Sequence, residues 1–166
     1  LQRPSAYDFT KTSANKLDAL QRVAKRRAEK AGSSNSTGSS SKASKDKTGV
    51  IDDVWELQLG EEVFSVRSKL GEGTFGAVFR VAAFLDTEVD EDDEDYDAEA
   101  EETSIAIKIE RPTNLWEFHI LQQLHSRLPA RVRMSVINAS KLYAYRDESF
   151  LFLDSCDQGT LLDALN

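Results

Sequence analysis

Apolar and polar positions alternate most clearly in the middle of the chain. Phe64, Val66, Ser68 and Leu70 lead into a glycine-rich break, and Val78, Phe79 and Val81 follow it. A period of two marks half-buried strands, which predicts strands at about 62–71 and 77–85. Ser104-Ile105-Ala106-Ile107-Lys108-Ile109 is a β-branched third strand. Its period turns Ile105, Ile107 and Ile109 toward a core and puts Ala106 and Lys108 on the opposite face. Pro112-Thr113-Asn114 then opens a helix predicted over 114–128. Trp116, Ile120, Leu121, Leu124 and Leu128 recur along it at helical spacing, and Pro129 helps to end it. Lys141–Tyr145 and Ser149–Leu153 read as two further strands joined by the turn Arg146-Asp147-Glu148. The order β-β-β-α-β-β predicts an α+β fold, a five-stranded antiparallel sheet with one packed helix. Trp55 and Leu57 are expected to pack the approaching segment onto that sheet.

Composition changes the picture at two places. Thr12 or Ser13 can cap a short helix running to about Lys30, whose apolar stripe is thin (Leu17, Leu20, Ala24, Ala28) and whose other positions are basic. Residues 32–48 are mostly Ser, Gly, Thr and Lys and cannot bury enough apolar area to offset their ordering entropy. Residues 1–50 are therefore expected to be a disordered, basic and Ser-rich extension carrying a short helix at 12–30, followed by one folded unit over 51–166. The net charge of −8 conceals +7 in residues 1–50 and −15 in the remainder. Residues 86–102 alone hold 12 acids and no base, and 86–103 read as a solvated insertion between strands two and three. That run lacks the ordered turn a divalent cation needs, so no metal site is expected there. The single cysteine, Cys156, excludes an internal disulfide. No apolar run reaches membrane-spanning length, and the expectation is an intracellular chain that binds neither membrane nor nucleic acid directly. A start at Leu1 and a stop at Asn166 suggest an internal fragment of a longer protein.

The candidate chemistry gathers on the glycine break. Leu70-Gly71-Glu72-Gly73-Thr74-Phe75-Gly76-Ala77-Val78 has the spacing G-x-G-x-x-G-x-V, flanked by strands on both sides. A dinucleotide-binding motif would run from strand to helix instead, and alternating helices are missing. A strand-turn-strand flap of this kind covers nucleotide phosphates in protein kinases, because glycine lets backbone N–H groups approach phosphate oxygens. Ala106-Ile107-Lys108 fits the V-A-I-K strand pattern, offering a small residue for an adenine and a cation for phosphates; alone, Lys108 would read as an ordinary surface lysine. Glu117, on the helix, is placed to pair with Lys108, or to close a capping box with Asn114 as N-cap. After the last strand, Asp154-Ser155-Cys156 stands where a kinase hinge binds the adenine edge. Leu153 would back the pocket, the Asp154 carbonyl would accept from the adenine amine, and the Cys156 N–H would donate to the ring. His119 and His125 have no metal-ligand spacing and read as surface or helix-packing residues.

Leu57-Gln58-Leu59-Gly60, Leu70-Gly71-Glu72-Gly73, Ile107-Lys108-Ile109-Glu110-Arg111-Pro112-Thr113-Asn114-Leu115-Trp116-Glu117-Phe118-His119-Ile120 and Gly159-Thr160-Leu161-Leu162-Asp163-Ala164-Leu165-Asn166 resemble the Bub family of spindle-checkpoint serine/threonine kinases. The run from Lys108 to Ile120 is the most specific part, because its proline and Trp-Glu-Phe are not general kinase features. The resemblance implies a kinase amino-terminal lobe with only the start of the carboxyl-terminal lobe. It implies ATP and Mg2+ as ligands, with the metal-binding residues outside the fragment. Carried over by motif, Leu70, Gly71, Glu72, Gly73, Thr74, Phe75 and Gly76 would form the flap, Val78 and Ala106 would sandwich the adenine, and Lys108 and Glu117 would form the phosphate-binding pair. It also implies a nuclear, kinetochore-associated mitotic kinase that phosphorylates a core-histone tail and works with Bub and Mad checkpoint proteins. The catalytic-loop Asp and the magnesium-binding Asp are expected beyond Asn166, so the fragment alone is expected not to transfer phosphate. A pseudokinase or scaffold module is the alternative.

Overall fold

The computed structural model describes residues 5–32, 55–83 and 105–155. In chain order these form strand β1 (Ser5–Phe9), helix α1 (Leu17–Gly32), strands β2 (Trp55–Leu59), β3 (Glu62–Gly73), β4 (Gly76–Ala83) and β5 (Ile105–Glu110), helices α2 (Trp116–Arg127) and α3 (Ala130–Arg133), and strands β6 (Ala139–Tyr145) and β7 (Ser149–Asp154). The strands make one sheet in the order β1-β6-β7-β5-β4-β3-β2. It has seven strands rather than the expected five. The additions are its two edges: β2 pairs antiparallel with β3, and β1 pairs parallel with β6.

The sheet curls until its edges approach each other. A Cβ on Gly60, in the β2–β3 turn at φ +61°, would come within 2.9 Å of the Phe9 ring of β1. Nearby, the Gly60 N–H donates to the Tyr145 hydroxyl at 3.1 Å, and the Tyr143 hydroxyl and Lys141 ammonium donate to Glu62 at 2.6 and 2.5 Å. The concave face holds the larger core, which includes Leu59, Phe64, Phe79, Ile107, Ile109, Phe150 and Phe152. The opposite face carries a smaller cluster of Ala106, Leu121, Ala139, Leu142, Leu151 and Leu153. Strand β5 thus serves both layers through its alternation, Ile107 and Ile109 on one side and Ala106 on the other.

The expectation of an unfolded amino-terminal extension is corrected for the described part of it. Leu17 and Leu20 of α1 are buried in the larger core, with Ala24 packed beside them. A thin stripe suffices because the rest of the anchoring is polar. Asp147 accepts from the Ala14 and Asn15 N–H groups at 2.8 and 3.1 Å, and Glu148 accepts from Lys16 and Leu17 at 2.8 and 3.2 Å. Carboxylates at a helix start satisfy its unpaired donors and complement its dipole. Glu148 is fully buried and is also paired with Arg111, which reaches Asp18 of α1 as well. The Ser-rich linker, the acidic insertion and residues 156–166, including Cys156, lie outside the described residues.

Helix α2 starts two residues later than expected. Its N-cap is Leu115 with no side-chain cap, and Asn114 Oδ1 instead accepts the Trp116 N–H at 3.0 Å. The capping box of Asn114 and Glu117 therefore does not form. The apolar residues of α2 do not form the single inward stripe that their spacing suggests. Leu121 is buried and Phe118 packs beside it, whereas Trp116, Ile120 and Leu124 are exposed. The inward face is instead completed by polar contacts: Gln122 donates to the Ala139 carbonyl at 2.7 Å, and His125 Nε2 lies 3.0–3.2 Å from the Val136 and Ile137 carbonyls. The extended backbone of Leu128 ends α2 ahead of Pro129, as proline requires of the residue before it.

Candidate functional site

The glycine flap is the hairpin joining β3 to β4, with Thr74 and Phe75 at its tip and Gly73 paired to Gly76. Two register shifts in β3, between Val66 and Ser68 and between Lys69 and Gly71, mark bulges that bend the strand ahead of the flap. The flap overhangs a cleft of about 360 Å³ whose lining includes Gly71, Gly73, Gly76, Val78, Lys108 and Glu110. No atom lies within 4 Å of where a Cβ would stand on Gly71 or Gly73, so their backbone is open to a ligand. Gly76 has a different reason to be glycine, since a Cβ there would stand 1.9 Å from the Ile109 carbonyl oxygen. The flap is tied down on its outer side. Lys69 pairs with Glu72, and Gln21 of α1 donates to Glu72 at 3.3 Å.

Lys108 Nζ lies 2.5 Å from Glu117 Oε2. Strand β5 puts the lysine on the α2 side of the sheet, and the first turn of α2 brings the acid to it. Lys108 has a second carboxylate neighbour, Glu110 Oε1 at 3.1 Å. Burial alone would push the Lys108 ammonium down; the hydrogen bonds and charges of Glu117 and Glu110 outweigh it and hold it above the ordinary lysine value. The lysine is firmly cationic at neutral pH, as a phosphate-binding group must be. The strand period also puts Glu110 on the same side as Lys108, and that spacing is the signal that would find it from sequence.

Beyond the ion pair, Val78, Ala106 and Leu153 share one apolar cluster, with Val78 opposite Lys108 and Ala106 opposite Leu153 in register. The expected adenine-flanking residues are thus brought together beside the cation. Leu70 is exposed at the base of the flap, and Phe75 is exposed at its tip. The Asp154 N–H donates to the Asn138 carbonyl at 3.1 Å. Among the described residues there is no cluster of His, Cys, Asp and Glu that could hold a metal ion, and no helix is long and apolar enough to cross a membrane. A larger groove of about 700 Å³ runs between α1 and β3, over Ala24, Trp55, Val66 and Phe79, and backs onto the flap at Lys69 and Glu72.

No protein-family model matches the chain. Its sequence is 32% identical over 110 residues to the mitotic checkpoint serine/threonine-protein kinase BUB1 of Arabidopsis thaliana, covering 66% of this chain and 18% of that protein. It is 34% identical over 106 residues to the spindle assembly checkpoint serine/threonine-protein kinase BUB1 of Saccharomyces cerevisiae, covering 63% of this chain and 9% of that protein. The chain thus spans less than a fifth of the length of these relatives. Among solved structures, the BubR1 kinase domain aligns with a TM-score of 0.52 at 18% identity, over 90% of this chain and 40% of that chain, a likeness of fold.

Proposed function

We propose, from the premise that this chain carries the amino-terminal lobe of a Bub-family protein kinase, that it is the ATP-binding half of a checkpoint serine/threonine kinase. The observation that carries this reading is the 2.5 Å pair of Lys108 and Glu117 beneath an open glycine flap. Bound ATP would supply the phosphoryl group for transfer to a protein hydroxyl. The residues present fit such a ligand. Gly71 and Gly73 leave their backbone approachable, Lys108 offers the cation, Glu117 orients it, and Val78, Ala106 and Leu153 offer apolar walls. Asp154 and Cys156 would serve as hinge contacts, and Mg2+ would be held by residues outside the described ones.

The wider reading takes the mitotic checkpoint from the names of the relatives and its location, substrates and partners from what the resemblance to the Bub family implies. The parent protein acts in the mitotic checkpoint, in the nucleus at kinetochores, on a core-histone tail and checkpoint substrates, with Bub and Mad proteins as partners. Calorimetric titration of the purified chain with ATP tests the lobe's part in this. Wild type should bind, and Lys108→Met should bind at least about tenfold more weakly, as expected when a charge-assisted phosphate contact is lost. Equal binding by both would refute the assignment of Lys108. Histone phosphorylation by the full-length parent decides between catalysis and scaffolding: its absence in wild type, with checkpoint function intact, would favour a pseudokinase.

A further inference from the structure

Glu110 lies two residues beyond Lys108 on the same side of β5, with Oε1 3.1 Å from the ammonium. Its other oxygen accepts from Asn114 Nδ2 at 3.0 Å. Asn114 Oδ1 in turn accepts the Trp116 N–H that opens α2, and α2 returns Glu117 to Lys108 at 2.5 Å. Glu110, Asn114, the start of α2, Glu117 and Lys108 therefore close a polar ring. Glu110 also lines the cleft under the flap, and its side chain is only 14% exposed. A carboxylate so little exposed is screened by salt far less than a surface one.

We propose that Glu110 is a positioning residue with a second consequence: it holds Lys108 toward Glu117, and its charge penalises ligands entering the cleft in proportion to their negative charge. The proposal rests on the reading that this cleft receives nucleotide phosphates. An incoming polyphosphate must share one ammonium with two carboxylates. The repulsion from Glu110 grows with each phosphate charge and vanishes for a neutral nucleoside. A role limited to packing would instead affect charged and uncharged ligands alike. Glu110→Gln removes the charge and keeps the side chain's length, and its single amide oxygen can serve Asn114 or Lys108 but not both.

The test compares affinities of the full chain and its Glu110→Gln variant for adenosine, ADP and ATP, without magnesium and at fixed ionic strength. The variant should bind ATP about fivefold and ADP about threefold more tightly, with adenosine unchanged and the gains depending only weakly on salt. Glu117 still holds Lys108 in the variant, so a uniform change across the three ligands, or weaker ATP binding, would overturn the proposal. Should neither protein bind any of them, the nucleotide reading itself fails. The charge penalty falls with it, and the claim that Glu110 holds Lys108 is decided by an NMR titration of the Lys108 ε-methylene. Lys108 should lose its proton at lower pH in the variant than in wild type, whereas identical titrations would show that Glu110 does not hold the lysine.

Discussion

A methyl group on Gly76 would stand 1.9 Å from the Ile109 carbonyl oxygen and 3.0 Å from Glu110 Cα, inside the β4–β5 pairing. The same group on Gly71 or Gly73 would meet nothing within 4 Å. One motif therefore joins a folding requirement at Gly76 to the open backbone at Gly71 and Gly73 that the proposed nucleotide site would use, and substitution separates them. Gly76→Ala should destabilise the chain by about 3 kcal/mol through forced strand separation, measured by urea unfolding. Gly71→Ala should leave that midpoint within about 0.5 kcal/mol of wild type and show its effect in ATP affinity. A Gly76→Ala variant as stable as wild type would mean that the β4–β5 approach is looser than described. At this scale the sequence was informative wherever residues interact locally. Lys108 and Glu117 were legible because strand and helix periods aim both at one point. The two reasons for glycine were not separable, because the Gly76 contact depends on how closely β5 lies against β4.

Helix α1 shows what local pattern cannot convey. Its helical spacing and its Leu17-Leu20-Ala24 stripe are readable, but the groups that dock it, Asp147 and Glu148, lie more than 130 residues away. Strand β1 is hidden for the same reason. Ser5–Phe9 has no apolar alternation of its own, and it pairs parallel with β6 across most of the chain. The α1 clamp has a pH signature. Burial alone would raise the Asp147 pKa, but the N–H groups of Ala14 and Asn15 and the nearby Arg111 charge prevail and hold it below the ordinary aspartate value. A carboxylate depressed in the folded state stabilises above its unfolded pKa, and that stability is lost as pH falls through the folded value. Stability should therefore decline as pH drops below about 4, with Asp147 contributing to the slope. Asp147→Asn should cost about 1 kcal/mol at pH 7, comparable to losing a helix cap, and should flatten the decline. Unfolding curves at pH 7 and pH 3 check this; a variant with the wild-type pH slope would remove Asp147 from the account.

For the whole molecule, the sheet is the shared wall of two layers. The larger core, with Leu17 and Leu20 of α1, lies on one face, and the α2 layer with the Lys108–Glu117 pair lies on the other. Because β5 supplies side chains to both, neither layer can come apart while the other stays ordered at the site. Damage to α1 should therefore be felt as lost global stability rather than as a changed cleft. Leu20 is 2% exposed, and Leu20→Ala should cost about 2–5 kcal/mol, as other buried leucine truncations do. A ligand that binds only the folded lobe restores part of that loss by mass action, about 2.7 kcal/mol at a concentration 100-fold above its Kd. ATP at that excess should then raise the melting temperatures of wild type and Leu20→Ala by similar amounts, roughly 10 °C, and that of Lys108→Met by at most about half as much. A Leu20→Ala protein that melts normally but has lost ATP binding would give the opposite result. It would mean that α1 acts on the flap locally, through Gln21 and Glu72, rather than through the sheet that both layers share.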